Sequence, residues 1–446
     1  MRIASGRCGA DAYAPEAMHQ VTTAPALARR VRSWRQADSP TRLRAASLLT
    51  AALGVLLSVV GFGAVQRRAD AIDDASAAAG QLIRVQEVRV DVVEADALAS
   101  TAYLVGGLES RDDRVAYDER IAAASSGLVA AAAAAVGDEA DLLEQASTDL
   151  TTYVGLVEQA RSNNRQGFPV GAAYQKQARV VAAGIVAHLR EVEGSARDRV
   201  DSSMERGHLA SWPLVLLTLA VLLAIVAGSL WLARRWRRLV NVPLAIGGLV
   251  ALLLLTVGVG VNASAISDAD GVVEGSLTTA DLLSQARAAA FDARSNEALT
   301  LIARGNGGAY ELQWEASSDV VEQAMGESCD RSGAGCRELE IWGTYTTGHQ
   351  AIRALDQRGD WDAAVELSLT GSSGAAPSGL LDPVAAFDEV AEVVGLRVTS
   401  ETDDAIAGLD DAGGSLGGLR WMVVIAGIAI AVLSLAGYGQ RIKEYR

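Results

Sequence analysis

Four long apolar runs limit what this chain can fold into more than any other feature of its sequence. They cover residues 45–65, 214–233, 239–262 and 421–438, and none of them contains Asp, Glu, Lys or Arg. A helix needs about 20 apolar residues to cross the roughly 30 Å of hydrocarbon in a bilayer. The sequence therefore predicts four transmembrane helices in a multi-pass protein of the cell membrane.

The composition agrees with membrane spans and excludes several function classes. Half of the residues are hydrophobic, only 21% are charged, and the mean hydropathy is +0.20. A net charge of −15 argues against nucleic-acid binding, since phosphate contacts need clustered Lys and Arg. The chain has three Cys and four His, and they show neither metal-ligand spacing nor a catalytic motif. The sequence therefore predicts no cofactor and no enzymatic activity.

The distribution of positive charge predicts the orientation in the membrane. The basic, partly disordered arm 1–44 has a net charge of +5, the turn 234–238 has +4, and the tail 439–446 has +2. Positive residues are retained in the cytoplasm, so both termini and the turn are expected there. The turn is also expected to anchor the chain at the lipid surface, through Arg234, Arg235, Trp236, Arg237 and Arg238.

The two segments between the spans, 66–211 and 263–419, are expected outside the cytoplasm and carry net charges of −8 and −19. Their apolar residues recur at steps of three and four, and glycine-rich breaks divide them, which is typical of helices. The sequence predicts an all-α fold with two tandem antiparallel four-helix bundles. We expect the helix 170–211 to continue into the second span, and the glycines at 413–414 to be a flexible joint before the fourth.

A repeat of about 192 residues relates the two halves. Thr152-Tyr153 and Arg161 in the first outer segment correspond to Thr344-Tyr345 and Arg353 in the second. This spacing agrees with the separation of the first and third spans. The sequence therefore predicts an internal duplication of a unit made of a span, an outer bundle and a second span.

Two sets of side chains are candidate sites. Cys329 and Cys336 flank a glycine-rich loop on the oxidising side of the membrane, which favours a disulfide over two free thiols. Arginines on the first helix of each bundle are weak candidates for holding a ligand carboxylate. Salt bridges to neighbouring acidic residues are the alternative for this second set, which consists of Arg84, Arg89, Arg287 and Arg294.

The outer bundles resemble the four-helix sensor domains of bacterial chemoreceptors. Residues 45–446 as a whole resemble the GlnX-type four-pass membrane proteins of actinobacteria, in length, in the two outer helical domains, in the arginine-rich turn and in the Arg-rich, Lys-poor composition. The resemblance implies a transducer between an extracytoplasmic solute-binding lipoprotein, sensing amino-dicarboxylates, and a cytoplasmic serine/threonine kinase. A direct small-molecule sensor and a structural or assembly protein of the cell envelope stay open, as does homodimer formation.

Overall fold

The computed structural model describes residues 39–106, 109–210, 212–236, 241–333 and 336–443. These residues form helices joined by short turns, and no strand occurs among them. Four of the helices contain a stretch long and apolar enough to cross a membrane. The prediction of an all-α fold with four spans is confirmed. Most of the basic arm, together with Arg237 and Arg238, lies outside the described residues.

The first half of the chain contains five helices. They are α1 (Ser39–Val105), α2 (Arg111–Ala133), α3 (Glu139–Arg165), α4 (Val170–Leu209) and α5 (Trp212–Trp236). Helix α2 shows how the sequence starts them: the Ser110 hydroxyl accepts a hydrogen bond from the Asp113 amide, at 3.0 Å. Such a cap satisfies an amide that the helix leaves free.

The second half also contains five helices, one of which is short. It contains α6 (Val242–Ile302), α7 (Gly308–Ser332), α8 (Arg337–Gln357), α9 (Trp361–Thr370) and α10 (Pro383–Lys443). Helix α6 includes two π-helical turns, at Leu254–Gly258 and Val273–Leu277. Helix α7 ends at Gly333, whose φ of 63° is the left-handed conformation that glycine adopts without strain.

The structure corrects the expected helix continuity at two places. Helix α4 ends at Leu209 and α5 begins at Trp212, so the helix does not run unbroken into the second span. Pro213 explains this, because it has no amide hydrogen for the Leu209 carbonyl and its ring clashes with that carbonyl. Conversely, α10 is helical throughout the glycines at 413–414, where a flexible joint was expected.

The apolar stretches carry large side chains that no other part of the protein covers. Leu49 is 60% exposed in α1, Leu216 is 60% exposed in α5, and Ile425 is 67% exposed in α10. Soluble proteins rarely leave so much contiguous apolar surface in water. Lipid is the environment that would satisfy these faces.

Beyond the spans, the two halves are packed together in one helical head, comprising residues 69–209 and 263–412. A single hydrophobic core contains Val92 and Leu189 from the first half and Leu283, Tyr345 and Val394 from the second. Helix α1 lies at the centre of this head, where it contacts α4 of its own half and α6 and α10 of the other. The surfaces between the halves are therefore interior surfaces of the head.

Candidate functional site

Helices α1 and α10 pack against each other, antiparallel, inside the apolar region. A Cβ atom on Gly427 would lie 2.5 Å from the carbonyl oxygen of Gly54, so only glycine allows this approach. The Ser58 hydroxyl donates a hydrogen bond to the Val424 carbonyl across the pair, at 3.1 Å. Small residues and hydroxyl groups of this kind hold helices together in lipid, where no hydrophobic effect drives them together.

The same pairing continues from the apolar region into the head. Arg420 donates to the Gln66 side chain at 3.0 Å. Further along, the Ser76 hydroxyl donates to Asp410 at 3.0 Å. Two uninterrupted helices thus remain in register from the spans into the head, and we call them the transmission pair.

Arg68 joins three helices at the border between the apolar region and the head. It is 2% exposed, and its Nε donates to the Gly207 carbonyl at 3.0 Å. It also donates to the carbonyls of His208, in α4, and Asn262, in α6. Gly207 and His208 belong to the last turn of α4, where the Gly207 carbonyl also accepts from the Ala210 amide at 3.3 Å, so Arg68 adds a donor at this helix end.

A cleft of about 490 Å³ lies between the two halves of the head. Helices α1 and α4 form one wall, and α6 and α7 form the other. We call it the inter-half cleft. Its charged and hydroxyl side chains are Arg89, Arg190, Glu193, Arg197, Asp292 and Ser317.

Arg89 is the most buried cation of the inter-half cleft. It is 3% exposed, and its Nε donates to Oε1 of Glu193 at 2.6 Å. Its Nη2 atom is buried and has no hydrogen-bond partner among the described residues. A buried guanidinium donor without a partner is costly, so Nη2 of Arg89 is an unsatisfied polar atom inside the head.

Two further arginines stand on the same face of α4 as Glu193. Arg197 Nη2 is 3.6 Å from Glu193, and its Nε donates to Asp281 at 3.1 Å. Burial lowers the pKa of Arg197, but the hydrogen bond to Asp281 and the charges of both carboxylates outweigh it and raise the pKa. Arg190 is exposed and has no ion-pair partner in the described part of the chain.

The carboxylate of Asp292, on the opposite wall of the cleft, already accepts hydrogen bonds from other side chains of the protein. Asp292 accepts hydrogen bonds from Ser317 at 2.7 Å, from Asn296 at 3.1 Å and from Arg179. Arg179 also donates to Asp96, at 3.0 Å, and so links α4 and α1 to α6. This wall is therefore fixed by contacts within the protein.

The structure does not bring the four arginines predicted as ligand candidates together. Arg89 alone lines the inter-half cleft. Arg84 donates to Gln81 at 2.7 Å, and Arg287 lies 3.4 Å from Glu94. Arg294 is paired with Glu297 and donates to the Ser368 carbonyl, at 2.7 Å in each case.

The other predicted residues lie away from the inter-half cleft. Cys329 and Cys336 form a disulfide with their Cα atoms 5.6 Å apart, and it connects the end of α7 to the start of α8. Arg234 is exposed at the end of α5. Arg235 and Trp236 belong to α5, but their side chains are outside the description.

Arg190 and Arg197 line the inter-half cleft but were not predicted as site residues. The signal was present, because residues 190, 193 and 197 follow the three- and four-residue steps that place side chains on one helix face. What the sequence lacked was any indication that this face of α4 meets α6 and α7.

Comparison with known proteins gives a family match in the first half of the head. No curated protein and no solved structure matches the chain significantly. Residues 71–205, from the head portion of α1 to near the end of α4, match the family described as the actinobacterial sensor domain. This match supports the chain being an actinobacterial sensor protein.

Proposed function

We propose that the protein is a membrane signal transducer in which the transmission pair carries a change in the head across the membrane. The continuity of α1 and α10, with matched contacts from Gly54–Gly427 to Ser76–Asp410, is the observation that supports this most strongly. A shift of one helix relative to the other in the head would displace their spans as well.

The proposal includes an orientation and two partners. The basic turn and arm favour cytoplasmic termini, with the head on the outer side. By the resemblance to GlnX-type proteins, an extracytoplasmic solute-binding lipoprotein supplies the input, in response to amino-dicarboxylates. A cytoplasmic serine/threonine kinase receives the output. The acidic surface of the second outer segment, with a net charge of −19, suits docking of a basic protein face.

The energy required is modest. To move a two-state equilibrium from one dominant arrangement to the other, the input must favour one state by about 5 kcal/mol. Docking of a protein on the head can supply such a difference, provided that the docking contacts differ between the two states.

Replacement of Gly427 by Leu tests the transmission pair. A side chain there would collide with Gly54 and Ser58 and separate α1 from α10. The matched control is Gly418→Leu, in the same helix, where a Cβ meets nothing within 4 Å. Both changes raise helix propensity equally.

The measurement is the change in serine/threonine phosphorylation when cells receive aspartate or glutamate. We expect the response in cells with the wild-type or Gly418→Leu protein, and its loss in cells with Gly427→Leu protein or with the gene deleted. A response that survives deletion would contradict the transducer function and favour a structural or assembly role.

Direct sensing of a small molecule is a second candidate, favoured by the inter-half cleft of about 490 Å³. In that case purified head-containing protein would bind the solute without any lipoprotein.

A further inference from the structure

A buried histidine in the second half of the head has a carboxylate on each side of its ring. His349, in α8, is 1% exposed; its Nδ1 lies 2.9 Å from Glu297 in α6, and its Nε2 lies 3.2 Å from Glu311 in α7. Arg294 and Arg353 also pair with these carboxylates, at 2.7 Å in each case, which keeps both ionised. A neutral imidazole donates from one ring nitrogen only, whereas an imidazolium donates from both. The geometry therefore fits the protonated ring.

We propose that His349 is a pH-sensitive switch: loss of its proton loosens the contact between α7 and α8, so that signalling by the head depends on pH. This inference rests on the proposed transducer function, since it adds a regulation to the head.

The contact with Glu311 is the one that loss of the proton breaks. One ring nitrogen then presents a lone pair to an ionised carboxylate, and two acceptors repel each other. Glu297 is 1% exposed and also accepts from Ser368 at 2.9 Å, so it stays in place and keeps the remaining ring donor. The Glu311 side chain is 23% exposed and can turn towards water. Deprotonation therefore separates α7 from α8 and leaves α8 joined to α6.

Charged and titratable groups surround His349 from several helices. They are Arg294 and Glu297 in α6, Glu311 in α7, Tyr345, Arg353 and Asp356 in α8, and Asp388, near Arg294, in α10. Burial lowers the pKa of His349, but its hydrogen bonds with the two glutamates and their charges outweigh burial and raise the pKa above 6.5. The switch therefore operates as pH rises above the ordinary range of histidine.

Packing alone does not require an ionisable residue at this position. The repeat of 192 residues that relates Tyr153 to Tyr345 places Val157 at the position of His349. Val157 is fully buried in the hydrophobic core of the first half. An aliphatic side chain thus fills the corresponding position there, whereas the histidine brings a charge into the interior, which is favourable only with its two partners.

The surroundings of His349 contact both helices of the transmission pair. Beside it in α8, a Cβ atom on Gly348 would lie 2.2 Å from Cβ of Pro383, so α8 and the start of α10 are in close contact. In α6, two residues before Glu297, the Ser295 hydroxyl donates to Asp96 of α1 at 2.7 Å. A movement of α8 relative to α7 would therefore displace α10 relative to α1.

Hydrogen–deuterium exchange of the full chain in lipid nanodiscs tests the switch without relying on signalling. Protection of the amides in α7 and α8 is compared at about pH 6 and about pH 8.5, after correction for the intrinsic exchange rate. We expect protection in the wild type to fall about tenfold at the higher pH, the factor that corresponds to one unit of pKa. His349→Gln should give equal protection at both pH values, because an amide does not titrate.

Two further variants separate the switch from a general effect on folding. His188→Gln removes a half-buried histidine of α4 that lies 3.7 Å from Asp149, and it should keep the pH dependence of the wild type. Glu311→Gln retains His349 but offers an amide that donates to the neutral ring nitrogen, so α7 and α8 should stay protected at the higher pH.

The phosphorylation response to aspartate or glutamate, measured at the same two values of external pH, should differ at least about twofold in wild-type cells and be equal in His349→Gln cells. PH-independent protection of the wild type, the same pH dependence in the His349→Gln protein, or a wild-type response of equal size at both pH values would overturn the proposal. Absence of any response in wild-type cells would contradict the transducer function instead, and the exchange measurement would still decide whether His349 opens the contact.

Discussion

At the scale of single residues, a buried charged cluster in the second half of the head shows how position determines protonation. Glu297 is 1% exposed and lies 2.9 Å from Nδ1 of His349, whose Nε2 is 3.2 Å from Glu311. The His349 ring stacks on Trp314, with ring centroids 3.6 Å apart. Arg294 and Arg353 also contact this cluster, through Glu297 and Glu311 respectively.

The pKa shifts in this cluster have opposite signs. Burial lowers the pKa of His349, but the hydrogen bonds and charges of Glu297 and Glu311 outweigh it and raise the pKa above 6.5. Burial raises the pKa of Glu297, but the charge of Arg294 and the hydrogen bond from His349 outweigh it and lower the pKa below 4.5. Burial also raises the pKa of Glu311, but the hydrogen bond from His349 and the charges of His349 and Arg353 outweigh it and lower the pKa.

Thermal stability should therefore depend on pH through His349. A raised histidine pKa contributes stability that is present below the unfolded value and is lost as pH rises through the folded value. The lowered carboxyl pKa values contribute stability that is lost only at acid pH. We expect the unfolding temperature of the full chain to fall as pH rises above about 6.5, the ordinary pKa of histidine.

His349→Gln should flatten this dependence, whatever it does to the unfolding temperature at a single pH. The control is His188→Gln, a half-buried histidine of α4 that lies 3.7 Å from Asp149. An unchanged slope in the His349→Gln protein would show that other groups cause the pH dependence.

At the scale of helices, the sequence predicted the spans and most of the breaks, because apolar length and glycine position are local properties. The glycine-rich breaks expected in the outer segments occur, for example, at Gly305 and Gly359, which follow helix ends at Ile302 and Gln357. Continuity was harder to predict. Helix α10 remains intact at Gly413 because this glycine packs against α1, where a Cβ would lie 3.0 Å from Asp73.

The continuity of α10 determines the expected effect of flexible insertions. A Gly-Gly-Ser insertion after Gly414 would interrupt α10 within the transmission pair, and each glycine costs about 1 kcal/mol in a helix interior. The same insertion after Ala210 falls where α4 has already ended. We expect the first insertion to abolish the phosphorylation response and the second to preserve more of it.

Disulfide crosslinking provides an independent readout for this prediction. A Ser76→Cys/Asp410→Cys pair should crosslink in the otherwise unmodified chain and in the Ala210 insertion. It should also crosslink in the Gly414 insertion, because residue 410 precedes the inserted segment. If the Gly414 insertion protein still forms this crosslink but no longer signals, its head is intact and the defect lies in transmission through α10. Signalling retained with the Gly414 insertion and lost with the Ala210 insertion would assign transmission to α4 and α5.

At the scale of the whole molecule, the joining of the halves could not be predicted from the sequence. The repeat predicts that residues at corresponding positions have similar surroundings, and this holds for Tyr153 and Tyr345. The Tyr153 hydroxyl donates to the buried carboxylate of Asp96 at 3.4 Å, and the Tyr345 hydroxyl donates to that of Glu297 at 3.3 Å. The contact between the halves depends on pairs such as Ser295 with Asp96, which lie 199 residues apart. Nothing in the local pattern of either helix indicates such a partner.

A shared core makes the halves depend on each other for stability. Residues 1–238 expressed alone would expose the faces of α1 that now contact α6 and α10, including apolar core positions such as Val92. It would also leave Asp96 without the hydroxyl of Ser295, which donates to it at 2.7 Å. The carboxylate would keep its bonds from Arg179 and Tyr153, but the apolar core surface would be exposed to water, so the isolated half should be unstable.

Co-expression of residues 1–238 and 239–446 as separate chains tests this dependence. The division falls between α5 and α6, outside the described residues, and it removes none of the contacts described between the halves. We expect a tag on one half to capture the other in about equal amounts, and each half alone to aggregate in detergent, because burial of the shared core requires both. Stable, monodisperse halves that do not bind each other would show that the head consists of two independent bundles, and transmission would then have to proceed within each half separately.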